Sequence, residues 1–308
     1  MSSPRMGSAE WGLLLLLSGL WGASFFFFKI LVAAWPPMTV VMGRLILASL
    51  ALNLIARSRK DWSPPPREVW PGLLALGALT AAIPFSLIAY GETKITSGLA
   101  SILNATTPIF TLLIAHVLTK DDRLSWRRGL GVALAFLGVV VVVGPSAFTS
   151  VGRAALPGEL AALAAALTYG FAGVYGRRFR GLKPMQIAVG QVTGGALLIT
   201  PMALIFEHPW TLPLAAMTVW GALVGLALLS TALAFLIYFR ILSTAGATNV
   251  SLVTCISPIV AIALGFLLLG ERLDPRNFAG LGLIALGLIA IDGRAFAALR
   301  RLGMGVRA

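Results

Sequence analysis

Few side chains in this 308-residue sequence are able to bind or transform a solute, and those few recur at helical spacing. Ser101, Asn104 and Thr107 lie three residues apart, so a helix places them on one face. Ser251, Thr254 and Ser257 repeat that spacing 150 residues later. Each series runs into a proline, Pro108 or Pro258. Inside a helix, proline withdraws the N–H that would bond the carbonyl four residues back. Here those carbonyls belong to Asn104 and Thr254, both already on the polar face. A free acceptor in an apolar medium is costly unless water, protein or a solute meets it. Pro108 and Pro258 are therefore the expected helix kinks, and the two stripes the expected lining of a solute site. Interhelical polar glue is the competing use of such residues, at about 0.6 kcal/mol per contact.

Aromatic and hydroxyl groups extend the list. Trp21 and Tyr169 occupy matching positions in the two halves of the chain and are expected as walls against a flat or apolar solute. Thr80 and Ser230 form another matched pair, and Ser86 and Tyr90 share a face one turn apart. Covalent chemistry finds no support. The 11 acidic residues fall at or beyond the ends of apolar runs, which leaves no mid-helix carboxylate relay. There is no G-x-x-x-x-G-K-[ST] motif for ATP. With two His and one Cys, a metal site is not expected. No catalytic residue, metal or cofactor is assigned, and a membrane-embedded enzyme is disfavoured.

The elements that must hold these groups follow from composition. The chain is 58% hydrophobic and 11% charged, with a mean hydropathy of +0.91. A soluble domain is roughly a quarter charged, so a water-soluble enzyme is excluded. A spanning helix takes about 20 apolar residues. Runs low in charge fall at 11–33, 37–56, 69–90, 95–118, 126–144, 157–176, 184–206, 215–239, 245–269 and 277–291, separated by Pro and Gly. The fold class is thus an all-α membrane protein of ten transmembrane helices, the first retained rather than cleaved.

The net charge of +13 suggests nucleic acid at first sight, but basic residues in a membrane protein follow topology instead. Of 24 Lys and Arg, Lys29 and Arg44 fall within spans, and Lys94, Arg153, Arg272 and Arg276 lie on one side, which leaves 18 on the other. The positive-inside rule then places both termini in the cytoplasm. Lys29 is expected to snorkel to the outer interface. Arg44 is expected to do the same or to pair with Glu92, with binding of a substrate carboxylate as the less favoured use.

The chain is also written twice. A shift of 150 carries Val69-Trp70 onto Val219-Trp220, Phe85 onto Phe235 and Pro108-Ile109 onto Pro258-Ile259. Shifts of 147 to 149 align Pro37-Met38 with Pro184-Met185, Gly22 with Gly170, and Gly131 and Gly138 with Gly280 and Gly287. Five spans per copy is an odd number, so the second copy enters from the opposite side. This is the inverted repeat of many secondary transporters, expected around a central cavity. The expected units are residues 1–146 and 147–308.

Several runs resemble EamA-type carriers of the drug/metabolite transporter superfamily. They are Leu20-Trp21-Gly22-Ala23-Ser24-Phe25, Ser97-Gly98-Leu99-Ala100-Ser101, Thr107-Pro108-Ile109-Phe110 and Gly270-Glu271-Arg272-Leu273, with Lys29 and Arg44. The sequence is most similar to YddG-type amino-acid exporters. Tyr169 stands where the repeat would have Trp, and Gln191 where it would have Arg. The resemblance implies export of a small molecule across the bacterial inner membrane, with the lipid bilayer as surroundings. It implies no nucleic acid and no obligatory protein partner. Nucleoside, nucleotide-sugar or phosphorylated substrates, and a non-transporting scaffold, are the alternatives. Orientation is open to direct test. A periplasm-active reporter fused after Ala308 should be silent, and one between the fifth and sixth spans active; the opposite pattern would reverse inside and outside.

Overall fold

A computed structural model describes residues 7–119, 125–144 and 150–292. Among the described residues every regular element is helical. Eight helices are long and apolar enough to cross a membrane: α1 (Ser8–Val32), α2 (Pro37–Arg57), α3 (Arg67–Glu92), α4 (Ser97–Leu118), α5 (Trp126–Val143), α6 (Ser150–Tyr175), α7 (Pro184–Glu207) and α8 (Met217–Ala245). Two shorter apolar helices follow, α9 (Val253–Leu269) and α10 (Pro275–Asp292), with a single turn at Ala247–Val250 before α9. The junction near residue 146 and many of the basic residues used to orient the chain, such as Arg5 and Arg294, lie outside the described residues.

Local sequence sets the helix ends. Proline opens α2, α7 and α10, where its fixed φ suits the first turn and its missing N–H costs nothing. Thr96 and Ser125 cap α4 and α5 through their hydroxyls. Gly270 ends α9 at φ 66°, a conformation that an L side chain resists. Three boundaries differ from the sequence expectation. The sixth helix begins at Ser150 rather than 157 and carries Pro157 inside it. The eighth runs on to Ala245. The ninth run is broken at Ser251–Leu252.

Packing between the two halves is reciprocal. α1 lies on α9, and α6 on α4. α2 lies on α8, and α7 on α3. α2 also packs on α7, and α5 on α10. Small residues permit these approaches. A methyl carbon at Gly131 would stand 2.7 Å from the Gly287 carbonyl oxygen, and one at Gly138 2.7 Å from that of Gly280. α5 and α10 therefore run antiparallel with backbones touching, and their matched glycines meet crosswise. The same exchange holds elsewhere: Gly43 faces Leu223, and their counterparts Gly190 and Leu73 face each other. Adding atoms to such a contact forces the helices apart and costs about 1–3 kcal/mol. Gly138→Ala should therefore lower the melting temperature in detergent. Gly129→Ala, which meets open space on the same helix, should leave it unchanged or raise it.

Candidate solute-binding site

The two ends of the bundle differ. At the end where α1, α3 and α7 finish, polar groups tie helices together. The Glu207 carboxylate accepts from the Met38 and Thr39 backbone N–H groups at 2.9 and 2.6 Å and from the Thr39 hydroxyl at 2.8 Å. It thus closes the N-terminus of α2, where unsatisfied donors and the helix dipole favour an anion. Glu271 does the same for α4, accepting from Ser97 N at 3.0 Å and Ser97 Oγ at 2.7 Å. Lys29 Nζ donates to the carbonyls of Glu92 and Ile95, both at 2.7 Å. It caps the end of α3 instead of snorkelling. Trp35 and Trp220 meet edge to face at the same end.

The opposite end holds a cleft, beside which Lys183 Nζ donates to Asp61 O at 2.8 Å and Gln186 Nε2 to Ser63 O at 3.1 Å. The cleft is lined by Arg59, Pro184, Met185, Ala188, residues 235–237, Phe239, Arg240 and Ser243. Trp21 stands behind it, 6.5 Å from Phe235 and 5.5 Å from Tyr238 between ring centroids. Trp21 thus packs against Phe235, which lines the cleft. Tyr169 packs against the main core instead, and no ring contact joins the two. Tyr90 is exposed at the closed end.

Most of the expected polar stripe satisfies itself. Thr80, Ser86, Thr107, Thr254 and Ser257 each donate to a carbonyl three or four residues back, at 2.7–2.9 Å. The acceptor for Thr107 is Asn104 O, so the carbonyl released by Pro108 is met by the neighbouring hydroxyl rather than left for a solute. α4 is interrupted at Ala105–Thr106, and Pro108 opens its second half. Pro258 lies inside α9 with the break seven residues earlier, so the two prolines do not act alike. Three buried acceptors remain unmet: Ser101 Oγ, Asn104 Oδ1 and Ser230 Oγ. Ser251, the counterpart of Ser101, is exposed. The stripe is therefore asymmetric, with its unmet groups, Ser101 and Asn104, in the first half, while Ser230 outside the stripe adds one in the second.

Sequence reasoning missed a second cluster. α3 and α8 each contain a π-helical stretch, at Ala78–Ala82 and Gly225–Leu233, and the two coincide under the shift of 150. Such bulges open the backbone ladder and often mark functional sites. Thr231 Oγ1 donates to Leu226 O five residues back and accepts from Arg44 Nε at 2.7 Å. Arg44 Nη2 reaches Ser230 O at 3.4 Å. The guanidinium lies 3.5 Å from the Phe85 ring centroid and 4.9 Å from that of Phe28. Arg44 is thus buried in the bundle, neither snorkelling nor paired with Glu92. Glu92 is also fully buried, and neither carboxylate oxygen has a hydrogen-bond partner. Glu92 and Glu159, the latter inside α6, are acids that span ends alone did not reveal as interior. Only the matched Thr80 and Ser230 hinted at the bulges; no residue pattern announces a π turn.

Comparison with known proteins agrees with this architecture. The model of the EamA-like transporter family matches residues 10–144 and again 156–291. The uncharacterized inner membrane transporter YedA of Escherichia coli (strain K12) is 25% identical over 283 residues, covering 91% of this chain and 89% of YedA. A protein of Streptantibioticus cattleyicolor named a probable terminal-alkyne amino-acid exporter is 26% identical over 301 residues, covering 94% and 95%. One crystal structure shares the fold with a TM-score of 0.65 at 19% identity, covering 92% of this chain and 97% of that one. With two matched copies that together occupy most of its length, this multi-pass membrane protein belongs to the EamA-like transporter family.

Proposed function

We propose that this chain is a secondary carrier that exports small neutral or zwitterionic metabolites, amino acids including aromatic ones among them, by alternating access. It acts in the bacterial inner membrane with both termini in the cytoplasm. All ten helices cross, in two inverted five-helix repeats that meet near residue 146. α9, at 17 residues, spans about 26 Å at 1.5 Å per residue, within the range of a crossing helix. The reciprocal contacts and the antiparallel α5/α10 pair support the inverted arrangement. The observation that carries the transport reading is the contrast between the two ends. One is tied shut by Glu207, Glu271 and Lys29, and the other opens into a cleft rimmed by Arg59 and Arg240. A bundle whose halves pack reciprocally can rock to exchange these conditions about a central site. The opening at the basic end makes this the inward-facing state.

Relatives support the substrate class: one is named for amino-acid export. A phosphorylated substrate would call for paired deep cations, whereas Lys29 is already committed to two carbonyls. The decisive test is counterflow in proteoliposomes of the purified protein with labelled amino acids and nucleosides. Exchange of amino acids is expected, and exchange of nucleosides alone would reassign the substrate. The inward-facing assignment has its own check. In a Cys255→Ser background, Ser243→Cys at the cleft should react with a small polar thiol reagent, and Ser101→Cys, which is buried, should not. Equal reaction at both would contradict the state assigned here.

A further inference from the structure

We infer that Arg44 anchors a carboxylate of the transported solute, which makes the substrate a monocarboxylate with an apolar or aromatic body. This rests on the carrier reading above and names the chemistry that the carrier recognises. Arg44 is seven residues into α2 from Pro37, roughly 10 Å from the closed end at 1.5 Å per residue. Its residue exposure is 2%. Among the described residues no carboxylate lies within 4.0 Å of it, Glu92 included. A guanidinium offers five N–H donors. Here Nε serves Thr231 and one Nη2 donor serves Ser230 O, so three have no acceptor among the described residues. Glu92 acts on Arg44 at longer range but forms no contact pair with it, and a buried cation with no direct anionic partner is a costly arrangement that an anionic solute relieves.

Three further features fit a carboxylate. Phe85 and Phe28 place apolar rings against the guanidinium, and its uncommitted N–H groups are of the kind that pair with two carboxylate oxygens. Ser230 Oγ, 1% exposed as a residue and without a partner, sits on the residue whose carbonyl Arg44 already reaches, and offers a further donor. The matched position in the second half holds Gln191, buried and uncharged, so the core supplies one positive charge and not the pair a phosphate dianion would use. Access is short. Thr231 lies four residues beyond Phe235 at the cleft, one helical turn or about 6 Å. Phe235 lines the cleft with Trp21 packed behind it, and the pair suits an apolar side chain.

The test uses probes that differ only in the carboxylate. Binding of L-phenylalanine and L-phenylalaninamide, L-leucine and L-leucinamide, 3-phenylpropionate and phenyl phosphate to the purified protein is followed by tryptophan fluorescence. The acids should bind about tenfold or more tightly than the amides, as charged hydrogen bonds of this kind support. Arg44→Met should abolish that preference, and Arg44→Lys, which keeps charge but loses the fork, should keep only part of it. The wild-type comparison needs no variant, so poor folding of Arg44→Met does not shield the proposal. Equal binding of acids and amides, binding of none of the acids, tighter binding of phenyl phosphate than of 3-phenylpropionate, or an intact preference in Arg44→Met would each overturn it. Carboxylate-selective binding without counterflow of any bound acid in proteoliposomes would leave the anchor standing and overturn the carrier reading instead.

Discussion

The constraint on which this structure depends is that a backbone in hydrocarbon must satisfy its own hydrogen bonds. It explains why the described elements are helices and why proline opens α2, α7 and α10. It also explains the behaviour of hydroxyls inside the bundle. Thr80, Ser86, Thr107 and Ser257 return their protons to the preceding turn, and Thr107 meets the carbonyl that Pro108 would leave open. Where the ladder loosens, at the two π-helical stretches, a side chain takes part: the Thr231 hydroxyl bridges Leu226 O and Arg44. Irregular backbone thus coincides with the buried cation, and the site is built from the same exception that the medium penalises elsewhere.

Charge is placed by the same logic. Glu207 and Glu271 occupy helix N-termini at one end of the bundle, where orphan N–H groups accept them. Lys29 completes the reciprocal arrangement at the C-terminus of α3. These are helix caps that also join one half of the chain to the other, because Glu207 and Glu271 reach α2 and α4. At the basic end the ties among the described residues beside the cleft are of another kind: Lys183 and Gln186 donate to the loop at residues 61–64. Carboxylate caps at one end and an open cleft at the other give the two faces of the bundle different mechanical character from ordinary helix electrostatics.

Glycine provides what the hydrophobic effect does not. Lipid is as apolar as leucine, so helices associate through close packing. The crosswise meeting of Gly131 with Gly287 and of Gly138 with Gly280 brings α5 and α10 to backbone contact. Reciprocal contacts of this kind, repeated for α1 on α9 and α6 on α4, make the interface between the halves as extensive as packing within them.

The sequence by itself determined the helical class, most helix limits, the duplication and the family resemblance. Each of these is written in local composition or in self-similarity: apolar length sets a helix, Pro and Gly punctuate it, and a register shift is visible without coordinates. Trp21 beside the cleft and the buried Ser101, Asn104 and Ser230 were legible because helical spacing and repeat matching singled them out. Tertiary structure decided the rest. Whether a hydroxyl is spent on its own helix depends on rotamer and backbone, not on spacing, so the stripe looked symmetric and is not. The interior position of Glu92 and the aromatic cradle of Arg44 arise from other helices of the bundle, with Phe28, Phe85 and Thr231 meeting Arg44 from three of them. No periodicity reports such a meeting. Arg44 was visible as a charge in an apolar run, but only the packing of α3 and α8 around α2 decided that it would face two phenyl rings and a threonine rather than a carboxylate.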